Sequence, residues 1–149
     1  MTTFKPLEIS DISIITQMMQ DFYAIDNYPM DIEVAKTLFQ EFIFNEHVGK
    51  SWLIYSENEI VGYIILTFIF SFEYGGKIAF VDELFIKETA RGKGIGKEAI
   101  QFIQREVPKL SLKLLYLEVE SHNENAQKLY LAHDFELHNR KLMKYKVTK

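Results

Sequence analysis

The sequence predicts a mixed α/β fold of the α+β class, formed by one domain over residues 1–149. Apolar residues alternate over several short segments and recur at helical spacing over others, and the two kinds of segment are interleaved along the chain. A chain of 149 residues with 48% hydrophobic content can bury one core, and no Pro/Gly/Ser-rich linker or internal repeat divides it. We therefore expect a central mixed sheet of six to seven strands flanked by about four helices.

The N-terminal half predicts a strand, two helices and a pair of long strands. Residues 4–8 form a short strand, and Ser10 or Asp11 caps a helix whose inner face carries Ile12, Ile15, Met19 and Phe22. Residues 29–31 end this helix, and a second one follows with an apolar face of its own, formed by Ala35, Leu38, Phe39 and Phe42. Strands 51–56 and 59–72 flank a turn at residues 57–58, and the second is apolar on both faces, which predicts a central position.

The C-terminal half predicts a strand–helix–strand–helix order and a final hairpin. Two glycines at 75–76 turn the chain into a strand over 77–86, and a helix over 95–107 ends at Pro108. A strand over 113–119 follows, and Asn123 then caps a helix that extends to residue 133. Residues 135–138 and 140–147 are predicted to form a β-hairpin at the end of the chain.

The composition argues against several kinds of function. A net charge of −4 argues against a nucleic-acid partner, which needs a basic face. The absence of cysteine excludes disulfides, thiolate nucleophiles and cysteine-based metal sites. No metal site is predicted, because the four histidines show no metal-binding spacing: His47, His122, His133 and His138.

The chain carries no pattern of a membrane protein. Residues 1–5 lack the apolar core of a signal peptide. The longest apolar stretch, residues 61–72, is interrupted by Thr67 and Ser71 and is shorter than the ~20 residues that span a bilayer. We therefore expect a cytoplasmic protein without a membrane partner, either a monomer or a homodimer.

A glycine-rich turn follows the strand predicted over 77–86. Glycines at 92, 94 and 96 leave a stretch of backbone without side chains at the start of a predicted helix. Backbone N–H groups at a helix N-terminus bind anions. Three cationic side chains surround the turn, namely Arg91, Lys93 and Lys97. The turn is therefore typical of a site for a phosphate-rich ligand.

The spacing disfavours two other phosphate-binding motifs. A nucleoside-triphosphate P-loop requires Ser or Thr directly after Gly96 and Lys97, where this chain has Glu98. The dinucleotide motif fits Gly94, Gly96 and Ala99, with acidic residues about 20 positions further on. However, only 53 residues follow Gly96, which is too few for the rest of a doubly wound sheet.

A second motif follows the strand predicted over 113–119. Residues 123–130 are N-E-N-A-Q-K-L-Y, and Asp134 and Phe135 come shortly after them. Together with the glycine-rich turn, this resembles the GNAT superfamily of acetyl-coenzyme A (acetyl-CoA)-dependent N-acetyltransferases. That family carries R/Q-x-x-G-x-G/A and, about thirty residues later, N-x-x-A-x-x-L-Y-x-x-x-G-F. The matching positions are Arg91, Gly94, Gly96, Asn123, Ala126, Leu129, Tyr130 and Phe135.

One position departs from the family pattern. Asp134 stands where the family usually has glycine. The end of a helix there favours a left-handed residue, a conformation that Asp tolerates better than most residues. The strongest resemblance covers residues 80–137, and the predicted order of elements also fits the family.

The resemblance implies acetyl-CoA as co-substrate. The pantetheine arm would lie along the backbone of Leu84, Phe85 and Ile86 like an added strand, and the same backbone would polarise the thioester carbonyl. The phosphates would lie on the glycine-rich turn. The implied cofactor-binding residues there and in the second motif are Arg91, Gly92, Lys93, Gly94, Ile95, Gly96, Lys97, Asn123 and Tyr130.

The resemblance also implies catalytic roles. Tyr130 matches the family tyrosine that protonates the departing thiolate, since a phenol remains protonated at neutral pH. A carboxylate would remove the proton of the attacking amine, and the candidates in order of preference are Glu83, Glu118 and Asp82. Strand alternation places Asp82 and Glu83 on opposite faces of the sheet unless a β-bulge intervenes.

The sequence thus predicts an N-acetyltransferase that moves an acetyl group directly from acetyl-CoA to a primary amine of a small molecule or a protein. The expected partners are acetyl-CoA and an amine acceptor, most simply a small molecule. The alternative is a non-catalytic acyl-CoA-binding regulatory domain. The sequence does not reveal the acceptor amine.

Overall fold

A five-stranded sheet forms the centre of the protein. The structure is a computed structural model that describes residues 1–148. The strands are β1 (Thr2–Pro6), β2 (Gly49–Ser56), β3 (Glu59–Ser71), β4 (Gly76–Ile86) and β5 (Leu115–Leu117), in the spatial order β1-β2-β3-β4-β5. Neighbouring strands are antiparallel except β5, which runs parallel to β4. The long apolar strand β3 is central, as predicted.

Four α-helices accompany the sheet over the described residues: α1 (Ile12–Ile25), α2 (Ile32–Ile43), α3 (Ile95–Lys109) and α4 (Glu124–Ala132). Short 3-10 turns precede α1 and α3, at Ile9–Asp11 and Glu88–Ala90. The Asp31 carboxylate starts α2 by accepting hydrogen bonds from the N–H groups of Glu33 and Val34.

The helix α3 extends slightly further than predicted. Pro108 lies inside its last turn and does not end it. The helix ends where Leu110 leaves the helical conformation and Ser111 takes a φ of 56°.

The helices cover both faces of the sheet. On one face, α1 and α2 pack on an apolar core built from alternate strand residues and the inner sides of both helices. It consists of Leu7, Ile12, Ile15, Met18, Met19, Phe39, Leu53, Tyr63, Ile65 and Phe85. On the other face, Phe102 of α3 stacks on Phe4 at 4.2 Å and packs edge-on against Trp52 at 5.3 Å between ring centroids.

The C-terminal hairpin predicted over 135–138 and 140–147 is wrong. Residues 133–148 contain no strand, so the sheet has five strands and not six to seven. The alternating apolar residues that prompted the prediction are present, but their side chains are exposed, as at Leu137, Met143, Tyr145 and Val147. A period of two stabilises a strand only when a neighbour accepts its backbone hydrogen bonds and covers one face.

The chain groups into two compact units, Met1–Glu118 and a second one that begins at Val119. The first unit contains the sheet and α1–α3, and the second contains α4. The expectation of a single domain therefore stays a prediction. No helix in the described part of the chain has the length and apolarity to cross a membrane.

Candidate active site

The glycine-rich turn joins β4 to α3. Gly92 and Gly94 have φ values of 77° and 78°, a left-handed conformation that glycine adopts without strain. Gly94 is the N-cap of α3 and offers no side chain to cap the helix. The first N–H groups of α3 therefore lack partners within the helix. A Cβ atom added at either glycine would meet nothing within 4 Å, so the turn is open to a ligand.

The ends of the turn are anchored. Ile95 is buried, whereas the cationic residues Lys93 and Lys97 are exposed. Arg91 donates a hydrogen bond from Nε to the carbonyl of Ile86 at 3.0 Å, and its guanidinium lies 6.0 Å from the ring centroid of Phe85. Arg91 thus joins the glycine-rich turn to the end of β4.

The end of β4 has one paired and one unpaired edge. Leu84, Phe85 and Ile86 pair with residues 62–64 of β3. On the opposite edge, β5 pairs only with residues 79–81, and over the described chain no strand continues that pairing beyond Val81. The backbone groups of residues 82–85 that face this edge can therefore receive an extended ligand as an added strand.

A β-bulge lies where the pairing with β5 stops. Opposite the consecutive residues Ile65 and Leu66 of β3 stand Glu83 and Val81, so Asp82 has no direct partner on that strand. Because of the bulge, Val81 and Glu83 lie on opposite faces of the sheet, although they are two residues apart. Glu83 lies two residues before Phe85 and faces the same core as α1, and the charge of Asp82 acts on Glu83 as well.

Both carboxylate oxygens of Glu83 accept a hydrogen bond from a tyrosine. The Tyr23 hydroxyl of α1 donates a hydrogen bond to Glu83 Oε2 at 2.6 Å, and the Tyr63 hydroxyl of β3 donates to Oε1 at 2.7 Å. Burial raises the pKa of Glu83 and the charge of Asp82 adds to that effect, while the two hydroxyl groups oppose it. Burial and the Glu83 carboxylate also raise the pKa of both tyrosines, which stay protonated.

The other two candidate bases lie in more open surroundings. Asp82 and Glu118 are exposed. Protein atoms nevertheless shield the Asp82 carboxylate from part of the solvent, and this desolvation raises its pKa. The nearby charge of Glu118 raises the pKa further. The first unit thus places all three candidate carboxylates in one region, with Glu83 the most enclosed.

The second unit contains the asparagine–tyrosine motif. Asn123 Oδ1 accepts a hydrogen bond from the N–H group of Ala126 at 3.2 Å and starts α4 as predicted. Tyr130 packs against Phe135 at 5.8 Å between ring centroids, and burial raises the pKa of its hydroxyl. Asp134 has a φ of 69°, which confirms the expected left-handed conformation at the position where the motif usually has glycine.

The comparison with known proteins decides the family. The profile of the acetyltransferase (GNAT) family matches residues 14–135. This chain belongs to the GNAT acetyltransferase family. It is accordingly an acetyl-transferring enzyme, and the family predicted from its two motifs is confirmed.

Individual known proteins resemble most of this chain at low sequence identity. The D-amino-acid N-acetyltransferase HPA3 of Saccharomyces cerevisiae is 24% identical over 130 residues, which cover 85% of this chain and 80% of that protein. The integron cassette protein HFX_CASS3, from the mobile metagenome of Cole Harbour Salt Marsh, is 30% identical, with a TM-score of 0.87 over 98% of this chain and 91% of the other. A predicted acetyltransferase of Clostridium acetobutylicum, solved with acetyl-CoA, is 16% identical, with a TM-score of 0.77 over 97% and 96% of the two chains.

Two site residues of this GNAT protein were missed by the sequence prediction. Neither Tyr23 nor Tyr63 was predicted as a partner of the candidate base Glu83. The available signal was the position of Tyr63, which is the only residue with a polar side chain in the buried run Val61–Leu66 of β3. A buried hydroxyl needs a hydrogen-bond partner, and Glu83 on the adjacent strand supplies it.

Proposed function

We propose that this protein is an acetyl-CoA-dependent N-acetyltransferase that transfers the acetyl group directly to a primary amine of a small molecule or a protein. The observation that carries the proposal is the position of Glu83. A half-buried carboxylate, held by two hydroxyl groups, lies on the strand whose free edge leads into an open glycine-rich turn. Membership of the GNAT family makes the alternative, a non-catalytic acyl-CoA-binding domain, the weaker interpretation.

The residues present fit coenzyme A. The turn offers unpaired N–H groups, left-handed glycines and free space, while Arg91, Lys93 and Lys97 supply positive charge for phosphates. The free edge at Leu84–Ile86 suits the amide groups of a pantetheine arm. When bound, acetyl-CoA supplies an activated thioester. The acetyl-CoA complex of the structural neighbour from Clostridium acetobutylicum supports this assignment.

Glu83 would remove the proton of the acceptor. An amine is mostly protonated at neutral pH and can attack a thioester only as the free base. A carboxylate whose pKa is raised by burial is a better proton acceptor than an ordinary surface carboxylate. Asp82 and Glu118 would add negative charge that attracts a cationic acceptor.

Tyr130 would donate the proton that the leaving thiolate needs. Burial raises its pKa, so its hydroxyl keeps its proton at neutral pH and can donate to sulfur. On its way to the amide the ammonium group loses two protons, the first to the Glu83 carboxylate before the attack and the second to solvent as the C–N bond forms, and the thiolate gains one from the phenol. Exchange with solvent then restores both groups.

The acceptor can be identified by screening. Purified protein would be incubated with acetyl-CoA and a panel of amines, and free thiol release would be measured for each. The panel should contain D-amino acids, because the yeast relative is named for them. It should also contain diamines, aminoglycosides and peptides with a free N-terminus. We expect release that depends on one class of amine. If no class releases thiol above the rate without acceptor, while coenzyme A still binds, the proposed transfer is wrong.

A further inference from the structure

Three separate elements converge on the Glu83 carboxylate. Tyr23 comes from α1, Tyr63 from the central strand β3 and Glu83 from β4, separated by 60 and 20 residues along the chain. Both O···O distances, 2.6 and 2.7 Å, are in the range of hydrogen bonds to an ionised carboxylate. Each carboxylate oxygen receives one hydroxyl, so the group is fixed in position and in rotation.

Aromatic packing holds the two hydroxyl groups in place. Tyr63 is fully buried, and its ring lies 5.7 Å from that of Phe85 and 6.5 Å from that of Phe22, centroid to centroid. The Tyr23 ring lies 6.1 Å from Phe22. The two hydroxyl oxygens therefore cannot move away from the carboxylate without disturbing the core.

No ion pair in the described part of the chain includes Glu83. The two phenols compensate its charge in place of a cation. A carboxylate has about four lone-pair sites, and the phenols occupy two of them. The remaining sites stay available for the proton of an incoming ammonium group, whereas an arginine partner would have occupied more of them.

We propose that Tyr23 and Tyr63 are positioning residues that keep the Glu83 carboxylate ionised and oriented to receive the proton of the acceptor amine. This inference rests on the proposed function, in which Glu83 is the base. The hydroxyls act through Glu83 and donate no proton to the substrate.

The charged and titratable groups around Glu83 define the expected pH dependence. Tyr23 faces it from α1, Tyr63 from β3 and Asp82 from β4 itself, while Glu118, beyond β5, acts on Asp82. Burial and Asp82 favour the neutral acid, and only the two hydroxyls favour the carboxylate. Removal of one hydroxyl should therefore raise the pKa of Glu83, so that activity requires a higher pH.

The test compares Tyr23→Phe, Tyr63→Phe and the wild type with the best amine from the screen. Each substitution removes one oxygen and keeps the ring. We expect the acidic limb of the kcat/KM profile to move upward by about one pH unit for each hydroxyl, and the rate to recover at high pH. Tyr55→Phe is the matched control, because Tyr55 packs against the same core and is not one of the two tyrosines that donate hydrogen bonds to Glu83. Its profile should match that of the wild type.

A double-mutant cycle separates this inference from the proposed function. In a Glu83→Gln background, a further Tyr23→Phe change should not shift the profile. Equal losses of rate at every pH, with the limb unmoved, would show that the tyrosines only support the fold. Tyr23 is more exposed than Tyr63, so Tyr23→Phe keeps the test valid if Tyr63→Phe fails to fold. If instead the proposed function is wrong, the wild type itself acetylates no amine, and this result is distinct from an unshifted pH profile.

Discussion

The Glu83 side chain is the one whose replacement should change the pH dependence of turnover most. Glu83→Gln keeps the shape and the hydrogen-bonding capacity of the side chain but removes the proton acceptor. We expect a loss on the order of 10²-fold at neutral pH and recovery as rising pH supplies free amine. Parallel profiles of Glu118→Gln and Asp82→Asn provide the comparison. If all three variants keep the wild-type profile, solvent deprotonates the amine.

The hydroxyl of Tyr130 should matter for turnover and little for stability. Tyr130→Phe keeps the contact with Phe135 and removes the proton donor. We expect turnover to fall on the order of 10²-fold, with nearly unchanged affinity for acetyl-CoA. Tyr145→Phe, at an exposed tyrosine of the same unit, is the control. If the turnover of Tyr130→Phe equals that of the wild type, Tyr130 contributes to packing only.

At the scale of elements, the glycine-rich turn should bind acetyl-CoA through its open backbone. Gly94→Val or Gly96→Val would fill the path of the pyrophosphate, so neither variant should show the rise in melting temperature that acetyl-CoA produces in the wild type. Gly75→Val is a strict control for Gly94→Val. The φ of Gly75 is 81°, and a Cβ atom there would also meet nothing within 4 Å. Both variants should lose similar stability through backbone strain, and only Gly94→Val should lose the ligand effect. If acetyl-CoA still raises the melting temperature of Gly94→Val, its phosphates do not bind at this turn.

What could be predicted from the sequence depends on how local the interactions are. The glycine-rich turn and the Asn123 cap depend on residues within a few positions, so their spacing was sufficient. The sequence left open whether a bulge occurs at Asp82, because a bulge is defined by the register of the strand against its neighbour β3. The hydrogen bond between Tyr63 and Glu83 joins two strands and depends on their register. The C-terminal hairpin failed because alternation does not itself provide a partner strand.

At the scale of the whole molecule, the acidic groups of the site should reduce stability at neutral pH. The pKa values of Glu83 and Asp82 are raised in the folded state. Their stabilising contribution is therefore fully present below the unfolded pKa, near 4.5 for Glu83, and is lost as pH rises through the folded pKa. We expect Glu83→Gln to raise the free energy of unfolding at pH 7.5, relative to wild type, by on the order of 1 kcal/mol.

Urea unfolding at pH 4.5 and pH 7.5 would measure this effect. The difference between Glu83→Gln and wild type should be larger at the higher pH, whereas Glu59→Gln, at an exposed position of β3, should show no such trend. A pH-independent difference would mean that Glu83 is not stabilised as the neutral acid in the folded protein.

The bulge at Asp82 also has a consequence for the length of the chain. Because Glu83 and Val81 stand opposite consecutive residues of β3, a protein lacking residue 82 would keep every other side chain of β4 on its present face. The parallel pairing between β4 and β5, which now ends at Val81, could then continue further along both strands. We expect the variant that lacks residue 82 to have a higher melting temperature than the wild type and a lower affinity for acetyl-CoA. We therefore expect the extra residue at position 82 to be the reason why the pairing between β4 and β5 ends at Val81.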